Sequence, residues 1–315
     1  GLGDVYKRQD FDHMPTEEDE QLLIDEVGFE PSWRFHHIPI ISGTIETHLL
    51  DDLLAVDGVV FLTLNGELHI QLENAIGVHN VDNVWDFGYT GEGISIAIID
   101  TGIDPLHVGL NDMDDDPLTA DPKVVAFYDA LDGSGDDGSV EREAYYDQGH
   151  GSDCAGIAAG TGAIDEGPTS DGSTPYRGVA PDAWLVGVKV LDGGGSGSFE
   201  EVMRGMEWTI DNKIKYNIRA ASMSLGGPWL FDLTQEQEER ITQLANEMVA
   251  AGIALMIAAG NDGAYGTIGT PGAAKDVITV GATDDSKDLA PYSSCLLYTS
   301  PSPRDLSTSR MPSSA

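Results

Sequence analysis

Three polar residues have types and positions suited to chemistry. Asp100 closes the apolar run ISIAIID, Asn261 closes LMIAAGN, and His150 stands in GHGSDCAGIAAG, just ahead of a string of small residues. A carboxylate emerging from so apolar a run needs a partner to be tolerated, and an imidazole is the natural one. An Asp that holds a His in one tautomer makes up two thirds of a relay that activates a nucleophile. The amide of Asn261 is the type of donor that stabilises an oxyanion. Together the three imply nucleophilic attack on a carbonyl.

To act together, they must be delivered to one edge by distant segments. From Ile94 the chain alternates the apolar runs ISIAIID, KVVAFYDAL, AWLVGVKVL, AASMSLGG, IALMIAAGN and DVITVGATD with the helical stretches SFEEVMRGMEWTIDNKI and TQEQEERITQLANEMVAAG. Runs this apolar predict strands buried on both faces, and their spacing by helices predicts an α/β domain, a mostly parallel sheet with helices on both faces. Ligands of such sheets bind beyond the carboxyl ends of the strands, where Asp100, Leu225-Gly226-Gly227 and Asn261 all fall. Upstream, RFHHIPIISGTIE predicts a strand, THLLDDLLAVD a helix, and GVVFLTLNGELHI a second strand with an Asn-Gly turn, a small α+β unit. The acidic DFDHMPTEEDEQ before it predicts no regular structure, and QLENAIGVHNVDNVWDFGYTGEG is a polar link.

The motifs IAIIDTGID, GHGSDCAG, MSLGGP and AAGND, in that order, resemble those of the subtilisin-like serine proteases, the subtilases, over about Gly91 to Ser294. The resemblance implies a serine endopeptidase with Asp100 and His150 as the first two members of an Asp-His-Ser triad and Asn261 as the oxyanion donor. DGGGSGSF resembles the family's edge strand, which pairs with an extended peptide and puts Gly195, Ser196 and Gly197 beside the substrate backbone. Ser224, Leu225 and Gly226 resemble the opposite strand and the wall of the primary pocket, with Phe199 in a more distant apolar subsite. The small unit resembles the tail half of the family's propeptide, an intramolecular chaperone and inhibitor, with cleavage expected between Leu72 and Val81. The expected division is Asp10 to Glu73, propeptide-like, then Asn74 to Ser294, catalytic. A secreted monomer acting on peptides or proteins is implied, without a catalytic cofactor but with structural calcium. Two features depart from the family: His150-Gly151-Ser152-Asp153 replaces His-Gly-Thr-His, with Cys154 following as in the proteinase K-like branch, and no Gly-Thr-Ser-Met-Ala occurs.

The ends have a different origin. GLGDVYKRQ and CLLYTSPSP can be encoded by one DNA sequence read in opposite senses, and both resemble a translated transposase-type sequencing adapter. Gly1 to Gln9 and Cys295 to Ala315 are therefore set aside from fold reasoning. On this reading the tail replaces the gene before its serine, leaving an inactive fragment with Cys154 as its one native cysteine and no disulfide.

Other chemistries fit less well. Asp100-Thr101-Gly102 matches the aspartic-protease triplet, but no second Asp stands in a matching context, and no strand leads into G-x-G-x-x-G. A non-catalytic subtilase-like binding or scaffold module stays open. Cys154 reads as a packed small hydrophobe or a redox thiol. His36 and His37 fall in the propeptide-like unit as structural or pH-sensing residues. Asp132, Ser134, Asp136 and Glu143 roughly follow calcium-loop spacing with the glycine one place late, and Asp112, Asp114, Asp115 and Asp116 form a second acidic cluster.

The formal net charge of -38 over 315 residues repels nucleic acid and anionic membranes, and no apolar run reaches transmembrane length. Such self-repulsion suits a saline environment, with a merely acidic secreted protein as the alternative. The melting temperature is expected to rise by calorimetry from low salt to about 1 M, where the Debye length falls to about 3 Å; a flat response would show that the charge is not limiting.

Overall fold

The computed structural model describes residues 4–64, 67–70, 81–114, 119, 121–132, 143–163, 177–227, 240–283 and 289–295. In the N-terminal unit, β1 (Asp4–Phe11), α1 (Glu17–Val27), β2 (Glu30–Arg34), β3 (Ile40–Glu46), α2 (Leu50–Leu54) and β4 (Val59–Leu64) build an antiparallel sheet ordered β2-β3-β1-β4. Its core is Phe11, Leu23, Val27, Phe29, Ile41, Ile45, Leu53, Val56 and Val59. The strand β1 takes in Asp4 to Gln9, residues set aside above. A ladder is made by main-chain groups, which any non-proline sequence supplies, and here they fill the slot between β3 and β4.

Two expectations for this unit are corrected. The acidic stretch starts a helix rather than a loop, because Thr16 and Asp19 form a capping box, Asp19 N donating to Thr16 Oγ1 and Thr16 N to Asp19 Oδ2, and Gly28 closes α1 with φ 66°. RFHHIPIISGTIE is not one strand: the chain bends between β2 and β3, where Phe35 N donates to Ile40 O. The bend drives Phe35, Ile38 and Ile40 into the main core of the following domain. Burying side chains of this size stabilises the contact by about 1.5–3 kcal/mol each.

Beyond β4 the expected second arm of the Asn-Gly turn, β5 (Glu67–Ile70), joins no sheet of its own unit. After α3 (Val81–Asp86) come β6 (Ser95–Asp100), β7 (Val124–Asp129), α4 (His150–Ala159), β8 (Trp184–Lys189), β9 (Ser196–Ser198), α5 (Phe199–Asn212), β10 (Ile218–Met223), β11 (Leu225–Gly226), α6 (Arg240–Ala250), β12 (Ala254–Ala258) and β13 (Ile278–Val280). Six of these form a sheet ordered β13-β12-β10-β6-β8-β7, every neighbouring pair parallel. The expected mostly parallel sheet with helices on both faces is present.

Alternation along β6 shows why both faces are apolar. Ile96 and Ile98 join Cys154, Ala155 and Ala159 of α4 on one side, while Ala97 and Ile99 join Val202, Met203 and Met206 of α5 and Leu244 and Met248 of α6 on the other. The helix α5 lies close to the sheet because of Gly205: a Cβ there would come within 2.5 Å of Val190 Cγ1 and 2.9 Å of Val188 Cγ1. Gly205→Ala is expected to lower the unfolding free energy by about 1–3 kcal/mol in urea denaturation; an unchanged midpoint would mean that the helix can back away freely.

Candidate active site

Asp100 is the last residue of β6 and is 1% exposed. His150 is the first residue of α4, and its Nδ1 lies 2.8 Å from Asp100 Oδ1. With Asp100 ionised, Nδ1 carries the proton and Nε2 is the basic nitrogen. The backbone fixes both ends of this bond. Thr101 N donates to Asp100 Oδ1 at 2.7 Å, Thr101 Oγ1 donates to Gln148 O at 2.9 Å, and Gly151 N donates to Thr101 Oγ1 at 2.9 Å. His150 N donates to Gln148 Oε1 at 2.6 Å.

The turn after β6 and the start of α4 touch backbone to backbone, which accounts for the glycine in each motif. A Cβ on Gly151 would lie 2.2 Å from Gly102 O, and one on Gly102, whose φ is 110°, would lie 2.4 Å from Tyr145 O. The departure from the family's motif is absorbed without disturbing His150. Ser152 Oγ accepts Asp104 N at 2.9 Å, while Asp153 points into solvent.

Asn261 follows β12, which β10 separates from β6 in the sheet. Asp100, Ser224-Leu225-Gly226 and Asn261 therefore leave three neighbouring parallel strands at the same rim, with β12 and β6 roughly 10 Å apart by strand spacing. Leu225 and Gly226, in β11, and Ser196 and Gly197, in β9, do not face an empty groove. Between them runs β5, antiparallel to both, with Ile70 opposite Leu225, His69 opposite Gly226 and Ser196, and Leu68 opposite Gly197. Gly195 precedes β9 with φ 76°. Phe199 is buried in the main core.

A second anchor, not anticipated from the sequence, lies on α5. Glu207 is buried under the bend of the N-terminal unit. Its Oε1 accepts His36 N at 2.7 Å and His37 N at 2.8 Å, and its Oε2 accepts Trp33 Nε1 at 3.4 Å. Burial raises its pKa above the ordinary carboxylate value, against the lowering effect of those N–H donors. Ser32 Oγ donates to Glu200 Oε2 at 2.7 Å, and the Arg204 guanidinium lies 4.4 Å from the centre of the Trp33 ring. The sequence carried only a weak signal: Glu200 and Glu207 are seven residues apart, two turns along the same side of the helix. His36 and His37 thus meet α5 through their backbone, and His37 Nε2 also lies 2.8 Å from Asp211 Oδ1.

Of the candidate calcium ligands, Asp115, Asp116, Ser134 and Asp136 fall outside the described residues. Asp112, Asp114 and Asp121 bring ligand oxygens within 4.8 Å of one another, and Asp121 Oδ1 is buried without a protein partner. A hard cation suits such an oxygen set. Asp100, His150 and Cys154 are equally close, but a soft metal there would have to displace a firmly held proton. Burial foremost, and then the charge of Asp100, push the Cys154 thiol up to about 12.

A buried acid bonded to an imidazole, above the carboxyl ends of a parallel sheet in an α/β protein, is an arrangement that can activate a nucleophile. The chain belongs to the subtilase family, whose profile matches residues 91–301. It is similar to serine protease AprX of Bacillus subtilis, 36% identical over 265 residues, which cover 80% of this chain and 53% of that protein. Subtilisin DY of Bacillus licheniformis is 34% identical over 218 residues, 68% of this chain and 65% of that protein. The minor extracellular protease Epr of Bacillus subtilis is 31% identical over 215 residues, 68% of this chain and 27% of that protein. The chain thus spans about half the length of AprX and less than two thirds of the others.

The thiol gives a direct check. Because Cys154 stays protonated well above neutrality, a thiol reagent such as DTNB at pH 8 is expected to leave it unmodified in the native chain and to modify it on unfolding in denaturant, as mapped by mass spectrometry. Fast native labelling would mean that the thiol is neither buried nor raised.

Proposed function

We propose that the complete protein is a secreted serine endopeptidase that acts as a monomer on peptide or protein substrates, and that the N-terminal unit is its intramolecular inhibitor. The observation that carries the catalytic part is the 2.8 Å contact of His150 Nδ1 with the buried Asp100. The nucleophile is a Ser from a stretch of the complete protein that this chain does not include, so the chain alone turns over no peptide. In the reaction Nε2 of His150 takes the proton of the Ser hydroxyl as its oxygen attacks the scissile carbonyl carbon. Asp100 keeps the ring in that tautomer and stabilises the imidazolium that forms. The Asn261 amide and a backbone N–H donate to the oxyanion, and the imidazolium then gives its proton to the leaving amine. Asp112, Asp114 and Asp121 would hold structural calcium, which supplies local stability and no step of the reaction.

The position of β5 supports the inhibitory part. An extended segment bonded on both edges by β9 and β11 occupies the place of a peptide that binds by adding a strand, and its unit is held a second time by Glu207 on α5. Extracellular location is consistent with the relative Epr, a minor extracellular protease, and no helix among the described residues is long and apolar enough to cross a membrane.

The complete protein is expected to hydrolyse a chromogenic peptide, and His150→Ala to lower kcat by roughly a millionfold, the loss for a relay histidine in subtilisin itself. Hydrolysis that survives this change would end the relay reading, and none by the folded, processed protein would favour a binding module. Glu207→Ala removes the acceptor of three N–H donors, His36 N, His37 N and Trp33 Nε1, which weakens the hold by about 1–3 kcal/mol. It should shorten the lag before activity appears; an unaltered lag would remove Glu207 from the inhibitory contact.

A further inference from the structure

The residue beside Asp100 on the neighbouring strand is Lys189, its partner in the β6–β8 register. It is 1% exposed, in a strand whose other residues are apolar or glycine and where an apolar side chain would satisfy burial at far less desolvation cost. The ammonium has three donors, and each reaches a different segment. Nζ donates to Thr101 O at 2.7 Å, to Asp147 Oδ1 at 2.6 Å and to Leu191 O at 2.7 Å.

These acceptors are not scattered. Thr101 directly follows Asp100, Asp147 lies in the loop that ends in His150, and Leu191 leads into the turn before β9, one wall of the cleft. The same corner is tied from the other side by Val190 N and Leu191 N, which both donate to Asp100 O at 2.8 and 3.2 Å. The Tyr145 ring, with its centre 5.6 Å from Nζ, lies against the ammonium. No neutral side chain offers three donors from a single atom.

We propose that Lys189 is a positioning residue for the relay, its ammonium locking the Asp100 turn, the His150 loop and the edge strand of the cleft in one geometry. Lys189 touches none of the reacting atoms and acts through Thr101, Asp147 and Leu191. The inference rests on the hydrolytic reading only for the use made of the pair; the geometry itself can be read without turnover.

The test uses the full chain with labelled histidine and follows the proton on His150 Nδ1 by NMR. In the unaltered chain this proton is expected as a downfield, slowly exchanging resonance. Lys189→Met should speed its exchange with solvent by roughly tenfold or more, the scale of one lost charge-assisted hydrogen bond. Asp147→Ala, at a side chain 45% exposed, should speed it as well, and by more than any shift of its urea unfolding midpoint accounts for, which a merely structural role would not do. Unchanged exchange in Asp147→Ala overturns the proposal, even if Lys189→Met fails to fold, and so does acceleration that only tracks global unfolding. A complete protein without peptidase activity would sink the proposed function and leave this result standing.

Discussion

A carboxylate that is almost wholly buried must have its charge answered at once, and the molecule meets this demand at the end of β6. Asp100 receives Thr101 N and His150 Nδ1, and these bonds need α4 to begin within contact of the turn after β6. That contact is possible because Gly102 and Gly151 carry no Cβ. The small residues of α4 extend the same logic, since Ala155 and Ala159 let the helix settle on Ile96 and Ile98. Close packing of helix on sheet and closeness of acid to base are thus one constraint seen at two scales.

The parallel sheet was legible because its strands are buried on both faces and read as unbroken apolar runs. Asp100 and Asn261 stood out for the converse reason, as polar groups at the ends of such runs, and His150 as the partner that Asp100 needs, just ahead of a small-residue helix. The N-terminal unit was harder. RFHHIPIISGTIE reads as one strand because its apolar content is continuous, yet Phe35, Ile38 and Ile40 serve a different core from Ile41 and Ile45. Hydropathy reports that a residue is buried and not against which neighbour. The helix α1 was hidden by its acidic first turn, although the Thr16 and Asp19 cap was present in the sequence.

The destination of β5 was harder still. An Asn-Gly turn after an alternating strand favours a hairpin, but the following residues pair with segments more than a hundred positions away. Strand pairing is specified by which edges are open, and that is settled only once β9 and β11 are in place. Glu207 belongs to the same class of feature: its two shortest bonds are to the backbone N–H groups of His36 and His37, which no residue type advertises.

The two-sided pairing of β5 also governs how it can depart. A strand on the margin of a sheet can peel away one bond at a time, each freed group finding water as it goes. A strand in the middle of three has to shed both ladders in the same stretch of chain, while the Glu207 anchor holds its unit down elsewhere. Departure is therefore concerted and closer to a threshold event than to a gradual fraying.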